Sequence, residues 1–404
     1  MKFKSIPFLF AILMIVSSCK KDDHREDDSS ISTIKIAGLY SITGNWSSLG
    51  VTSREAMNLA LVDVNEYLEQ RGSKYRFSTI TYDTELDTAF AKTSFQAAVN
   101  NGARFIIGPQ SSAECNAILQ SANSNQVLVV SQGSTASSLS IPDDALFRFC
   151  PGDGPEGQAV SRTMYNTGKR IVITLARNDA GNIGLQTSVN NAFVALGGQV
   201  DAITPYASNT TNFASIIQQV RSKIQQYKTT YSNNEIGVYI ASFDECVNLF
   251  SQAVNDNDLT SVNWYGGDGM VQSAALLNDI NARDFAVATG FFAPNFGLPA
   301  TPHPGLNSIA NSIQISTGIA PDAYALSVYD AVWVIARTVA NYPGVMDDFT
   351  KLKSDFAEEA NQFFGITGPV LLNTNGDRAV GSFDYWGIVN QGGNYSWQIV
   401  GGSN

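Results

Sequence analysis

Histidine is almost absent from this chain. There are two in 404 residues, His24 in a charged N-terminal stretch and His303 between Pro302 and Pro304. Histidine is the side chain most used for acid–base work near neutral pH, so the common nucleophilic triads lack a centre here. No GxSxG, HExxH or Walker sequence is present. Chemistry by two carboxylates is the enzymatic alternative that the composition leaves open. Cysteine is also scarce. Cys19, Cys115, Cys150 and Cys246 are widely spaced, with no CxxC. That excludes a disulfide framework and a zinc site, and no metal or cofactor is expected. One disulfide or buried free thiols remain open for the last three. The N-terminal apolar run, Ile6 to Val16, is shorter than the roughly 20 residues that a membrane-spanning helix needs. Basic residues are outnumbered, 25 against 36 acidic, for a formal net charge of −11. This argues against a nucleic-acid partner and against a basic membrane-binding face.

What the N-terminus does contain is ordered. Lys2 and Lys4 precede the apolar run, and Ser17-Ser18-Cys19 follows it. A basic start, a short apolar core and small residues describe a secretory signal. The Cys directly after two small residues resembles a bacterial lipoprotein signal. The resemblance implies cleavage after residue 18, acylation of Cys19 and several acyl chains, since one chain anchors only weakly. An ordinary signal peptide with an incidental cysteine is the alternative. Residues 19–32 are charged and poor in large apolar side chains, which describes a disordered tether. An acidic sorting signal for surface display is the other reading.

From about Ser32 onward the chain is long enough for two domains at ~100–200 residues each. Strand and helix patterns alternate. Ile34–Leu39 reads as a strand. Ser53–Glu69 reads as a helix with Ala56, Leu59, Ala60, Val64 and Leu68 on one face. Tyr75–Tyr82, Arg104–Ile107 and Gln126–Val130 read as further strands, and Thr88–Asn100 as a helix stopped by Gly102. A second series follows near Gly168, with strands at 170–176, 199–206 and 235–241 and helices at 185–196, 212–227 and 244–254. The pattern predicts an α/β protein of two doubly wound lobes with parallel sheets.

Ligands of doubly wound sheets sit at the carboxyl ends of the strands. Three loops there are rich in hydroxyls and glycine: residues 41–50, residues 108–112 and residues 131–136. The last two are expected to open helices. Helix starts offer unpaired N–H groups and a positive dipole end, which suits a carboxylate. Ser112 and Thr135 read alternatively as plain N-caps.

These residues resemble a known family. Thr43-Gly44, Gly50, Asn65, Gly108-Pro109, Ser112, Gly133-Ser134-Thr135, Gly266-Gly267-Asp268-Gly269, Tyr329-Asp330-Ala331, Phe364–Gly368 and Asn375–Arg378 follow the order and spacing of type I periplasmic binding proteins. The branch is that of the leucine/isoleucine/valine-binding proteins of ABC importers. The resemblance runs from Ile34 to about Ile399. It implies two lobes joined by three hinge crossovers near Pro151, Pro294 and Arg378, with a ligand in the cleft between them. Residues 33–151 and 295–378 would form the first lobe, and 152–294 and 379–404 the second. It implies that Ser112, Gly133, Ser134 and Thr135 meet a ligand carboxylate and ammonium, and that Asp268 from the second lobe meets the ammonium. Trp46, Leu49 and Phe243 fall near the family's side-chain pocket. A turn role for Asp268, and core packing for the apolar three, are the plainer alternatives. The implied function is capture of a small polar ligand, an amino acid, for the membrane component of an ABC importer. A sensor on the same fold is the alternative.

Two features stand apart. Gly181 occupies the position where the family often carries an aromatic that covers the ligand, so one pocket wall is expected to be missing or supplied elsewhere. Gly152-Asp153-Gly154-Pro155-Glu156-Gly157 matches GxGxxG after a strand. Pro151 and Pro155 stiffen that turn, and it falls at the expected first crossover, so it reads as a connection and not a dinucleotide site.

Overall fold

The computed structural model describes residue 1 and residues 31–403, apart from 343 and 380. Cys19, the signal sequence and the tether up to residue 30 lie outside the described residues.

The first lobe opens with β1 (Ser32–Tyr40), α1 (Ser47–Gln70), β2 (Tyr75–Asp83), α2 (Thr88–Asn100), β3 (Phe105–Ile107), α3 (Ser112–Asn125), β4 (Leu128–Ser131) and β5 (Leu146–Arg148). The strands pair in parallel in the order β2-β1-β3-β4-β5. The second lobe begins with α4 (Asp153–Asn166), β6 (Ile171–Ala176), α5 (Ala180–Ala195), β7 (Gln199–Ala202), α6 (Ala214–Tyr227) and β8 (Ile236–Ala241). It continues through α7 (Cys246–Ala253), β9 (Asn263–Gly266), α8 (Ala274–Asn278), α9 (Ile280–Ala288) and β10 (Phe292–Phe296). The chain then returns as α10 (Leu306–Thr317), α11 (Ala323–Asn341), α12 (Phe349–Gln362) and the short pair β11 (Phe364–Gly365) and β12 (Gly368–Pro369). It ends in the second sheet as β13 (Phe383–Gln391) and β14 (Asn394–Gly402).

The second sheet runs β14-β13-β10-β9-β8-β6-β7. Its inner strands are parallel, while β13 is antiparallel to both β10 and β14. Gly392 and Gly393 carry positive φ at the turn of this hairpin, the conformation that two-residue turns require. The chain therefore passes between the sheets three times, between β5 and α4, between β10 and α10, and between β12 and β13. Pro151 lies in the first passage and Arg378 in the third. Pro294 lies inside β10, paired with Tyr385, before the second passage.

Alternation within each strand feeds two cores per sheet. Ile36, Phe105, Ile107, Leu128 and Val130 face α1 and α11, while Ala37, Leu39, Ile106 and Val129 face α2 and α3. In the second sheet Ile171, Ile173, Val238 and Ile240 face α6, α7 and α9, while Val172, Ala176 and Tyr239 face α4 and α5. Both faces of both sheets are thus covered, as parallel sheets require. Cys115, Cys150 and Cys246 are buried free thiols. Among the described residues no helix is long and apolar enough to cross a membrane.

Two expectations about loops change. No α-helix opens after β4; a single 3-10 turn, Ser137–Leu139, stands there. The carbonyls of Ser134 and Ala136 point instead to the buried Arg148 guanidinium, at 3.1 and 2.7 Å. Helix α5 begins at Ala180 and not near residue 185, because Asp179 caps it by accepting the Asn182 N–H at 3.0 Å.

Candidate functional site

The site lies where the strand ends of the two lobes face each other. On the first lobe Gly108 carries φ of +95°, and a Cβ there would sit 2.1 Å from the Leu39 carbonyl oxygen. Only glycine allows β3 to turn there into α3. The N-cap of α3 is Ser111, in a reciprocal capping box with Glu114. This frees Ser112 from the capping role. Its hydroxyl accepts the Ala136 N–H at 3.1 Å and pairs with the Ser134 hydroxyl at 3.3 Å. The loops after β3 and β4 are thereby locked to each other. Arg148, bound to Asp377 through Nε at 2.6 Å, supports the second loop from behind.

Trp46, Ser111, Ser112, Gly133 and Thr135 from this lobe line one cavity together with Gly181, Asn182, Leu185, Phe243 and Asp268 from the other. Six of the residues singled out from the sequence therefore meet: Ser112, Gly133, Thr135, Asp268, Trp46 and Phe243. Ser134 and Leu49 stand behind them. Ser134 bonds Ser112 and the Ser131 hydroxyl, and Leu49 packs against Gly133. The cavity has room for about one water.

The lobes are closed on one another at the rim. The Trp46 N–H donates to Asp244 at 2.8 Å, Asn45 donates to Glu245 at 3.1 Å, and the Ala274 N–H donates to the Ser48 hydroxyl at 2.9 Å. Trp46 adopts the left-handed conformation, φ 58°, which costs a bulky residue energy and clusters at functional sites. Its ring packs against Phe243 at 4.7 Å and edge-on against Tyr324 at 6.4 Å. Trp46 and Phe243 thus stand together on the cavity wall, one from each lobe. A Cβ at Gly181 would be a tight fit, 3.3 Å from the Ser112 hydroxyl.

Asp268 lines the cavity on the second-lobe side, and Asp153 and Glu156 are buried beside it. Asp268 accepts from the Tyr324 hydroxyl at 2.7 Å and from the Gly269 N–H at 2.8 Å, and its own N–H donates to Glu156 at 3.2 Å. Burial pushes the Asp268 carboxyl up to about 7; the Tyr324 hydrogen bond opposes the rise and the field of Asp153 adds to it. Burial, then the fields of Asp268 and Asp153, push Glu156 well above the usual range. Burial raises Asp153 to about 6, against the nearby Thr135 hydroxyl and Ser137 N–H. Neither of these reaches hydrogen-bonding geometry. Both Asp153 oxygens and one Glu156 oxygen are buried without a partner. Asp153 and Glu156 belong to the glycine-rich run that reads in sequence as a mere connection. They sit one turn apart in α4, which puts both on one helix face. That i, i+3 spacing of two acids was the available signal.

A two-lobed α/β frame with strand-end loops converging on an interlobe cavity defines a ligand-binding fold, the type I periplasmic binding fold. The chain matches the model of the receptor family ligand binding region over residues 52–391 and belongs to that family. An uncharacterized protein of Methanocaldococcus jannaschii, MJ1266, is 28% identical over 392 residues, covering 93% of this chain and 91% of that protein. Among solved structures, the leucine-binding protein LivK of Thermotoga maritima superposes with a TM-score of 0.73 at 20% identity, over 90% of this chain and 97% of its own. The branched-chain amino acid binding protein LivJ of Streptococcus pneumoniae, in complex with isoleucine, gives 0.71 at 16% identity, over 91% and 99%. A solute-binding protein of R. palustris in complex with benzoate gives 0.73 at 18% identity, over 92% and 96%. At these identities the likeness concerns the fold.

Proposed function

We propose that this protein is an extracytoplasmic, lipid-anchored solute-binding protein that captures an amino acid for an ABC importer by hinge closure. It performs no chemistry on its ligand. The observation that carries the reading is the division of labour across one cavity. The first lobe brings the start of α3 and the hydroxyls of Ser112 and Thr135, which suit a carboxylate. The second brings Asp268, which suits an ammonium. A zwitterion then bridges the lobes through charge-assisted hydrogen bonds. The cavity is smaller than an amino acid, so entry requires the lobes to part and Trp46 and Phe243 to yield. Cys19 is the lipid-bearing residue in this reading, and the membrane component of the importer is the partner.

A simple carboxylate ligand is the second reading. It is favoured by the raised pKa of Asp268, since a neutral acid needs no ammonium. Calorimetry with an amino acid, its amide and its deaminated acid separates the two. Removing either ligand charge leaves a buried protein group unpaired, on the order of 2–5 kcal/mol. The amino acid should therefore outcompete both analogues by at least about tenfold, roughly 1.4 kcal/mol. A deaminated acid that binds equally well sinks the amino-acid assignment.

A further inference from the structure

Two of the residues that line the cavity from the second lobe, Asn182 and Phe243, are held from outside it by one guanidinium. Arg177 follows β6 and is 8% exposed. It does not itself line the cavity. Its Nε lies 2.8 Å from an Asp179 oxygen, and its Nη1 donates to Glu245 at 3.3 Å. Its guanidinium carbon stands 5.3 Å from the centre of the Phe243 ring, within the range of a cation–π contact. Among the described residues no other cation pairs with Asp179 or Glu245. Each contact leads to a part of the site. Asp179 accepts the Asn182 backbone N–H at 3.0 Å and its side-chain amide at 2.9 Å, the second on the oxygen that faces Arg177. Glu245 accepts the Tyr206 and Ser242 hydroxyls on one oxygen, at 3.0 and 2.9 Å. Its other oxygen takes Arg177 and, across the lobes, the Asn45 amide at 3.1 Å.

We propose that Arg177 is a positioning residue that couples the walls of the ligand cavity to the closure of the lobes. This rests on the closure reading above and names a residue that controls it. The two carboxylates beside Arg177 are largely withdrawn from water, and only the cation between them offsets their burial and their mutual repulsion. Without it each must turn toward solvent. Turning Glu245 withdraws the acceptor of Asn45, turning Asp179 releases Asn182, and losing the guanidinium frees the Phe243 ring. No hydrogen bond joins Arg177 to Asn45, so its effect on the first lobe runs through Glu245. Contacts across the rim exist only when the lobes meet, and a residue that holds their acceptor in place favours the closed state. Lysine does not substitute for it. A single ammonium keeps the charge but lacks the fork that reaches two carboxylates while lying on an aromatic ring.

The test is amide hydrogen exchange on the full mature protein in detergent, without ligand. The reporters are the N–H groups of Trp46 and Ala274, which are bonded across the lobes. The control amides are those inside β3 and β8, which report the fold of each lobe. Arg177→Met should speed exchange at both reporters by about tenfold or more and leave the β3 and β8 amides unchanged. Arg177→Lys, which keeps the charge should the methionine variant fail to fold, should do the same. Asn45→Ala should speed the reporters in the wild type but add less than about threefold in the Arg177→Met background, because the two act through one carboxylate. Acceleration of the β8 amides together with the reporters, or an undiminished effect of Asn45→Ala in the double variant, overturns the proposal and leaves Arg177 a residue of the second-lobe fold. Unchanged reporters in both Arg177 variants, with Ala274 accelerated in Asp244→Ala, overturn it and leave the closure reading intact. Reporters that exchange as fast in the wild type as in Asp244→Ala remove the rim contacts themselves, and the proposal falls with them.

Discussion

The backbone N–H of Trp46, in the first lobe, donates to the Asp244 carboxylate of the second at 2.8 Å. Asp244 also accepts from Ser273 beside it, so it ties the loop after β1 to the loop after β9. The Trp46 carbonyl is held in turn by the Gln110 side chain at 2.9 Å. One residue in a strained conformation is thus clamped by both lobes. A latch of this kind exists only in the closed state and so biases the opening equilibrium.

Removing the latch should open the molecule. Asp244→Ala loses a hydrogen bond with a charged partner across the lobes, on the order of 1.5–3 kcal/mol. That corresponds to a shift of about ten- to a hundredfold in the closed-to-open ratio. Small-angle scattering should show a larger radius of gyration for the variant than for the wild type without ligand. An unchanged radius would mean that the rim contacts are incidental to closure.

Gly181 should be intolerant of an aromatic side chain. A Cβ there already presses on Ser112 at 3.3 Å, and Trp46 and Phe243 fill the space beyond. Gly181→Tyr should prevent full closure and lower affinity at least tenfold while leaving thermal stability near that of the wild type. Retained affinity would show that the aromatic wall is interchangeable between the two lobes.

Asp377 should be needed for stability and for the shape of the loop after β4. Its bond to Arg148 is buried on both sides, at 2% and 6% side-chain exposure. Breaking a buried pair by removing one partner costs about 3–5 kcal/mol, because the other charge is left unpaired. Asp377→Ala should lose stability on that scale in urea unfolding. Arg148 also holds the Ser134 and Ala136 carbonyls, so ligand affinity should fall too. A loss below about 1 kcal/mol would mean that water replaces the carboxylate.

The lipoprotein reading is tested apart from the cleft. Cys19→Ser should move the protein to the soluble fraction or leave the precursor uncleaved. Equal membrane partitioning of both forms, processed alike, would remove the lipoprotein reading.

How much of this was legible beforehand varied with the kind of interaction. Hydrophobic alternation in strands such as Ile34–Leu39 and Arg170–Ala176 is local, and it led to the two sheets directly. The loops that follow the first-sheet strands led to Ser112, Gly133 and Thr135 because topology dictates where a strand-end loop points. Long-range pairings were not legible. Ser111 and not Ser112 caps α3, because the capping partner Glu114 lies three residues on from Ser111. The helix expected after Thr135 is displaced by Arg148, whose draw on two carbonyls no local pattern encodes. Asp153 and Glu156 were hidden by the glycines around them. A motif that resembles a nucleotide turn is here the first turn of a helix with two acids on one face.

Those acids should make the protein less stable as the pH rises. Burial raises Asp153 to about 6, Asp268, Asp322 and Glu114 to about 7, and Glu156 further. In the unfolded chain they titrate near 3.9 for Asp and 4.3 for Glu. Between about pH 4 and 7 the folded protein therefore holds protons that the unfolded chain has released. Unfolding stability then decreases with pH, because the unfolded state binds fewer protons. Carboxyls held low, such as Asp83, Asp258 and Asp279, act in the opposite sense. Their contribution is complete above the unfolded carboxylate range, so it does not vary in the window of the test. The groups that face Asp268 and Glu156 are Asp153, Asp322, Cys150, Tyr239, Tyr324 and Tyr385; the Cys150 thiol is pushed well up by burial. The tyrosines are all raised from their ordinary value near 10, so they stay protonated and do not contribute. Without ligand, the melting temperature should be higher at pH 5 than at pH 7.5 at constant ionic strength. Glu156→Gln with Asp268→Asn should flatten that slope, since the amides do not titrate. A wild-type melting temperature that rises from pH 5 to 7.5 would show that these carboxyls are ionised in the folded protein. An undiminished slope in the double variant would move its origin to the other raised carboxyls, Glu114, Asp144, Asp153, Asp244, Asp322, Asp330 and Asp384.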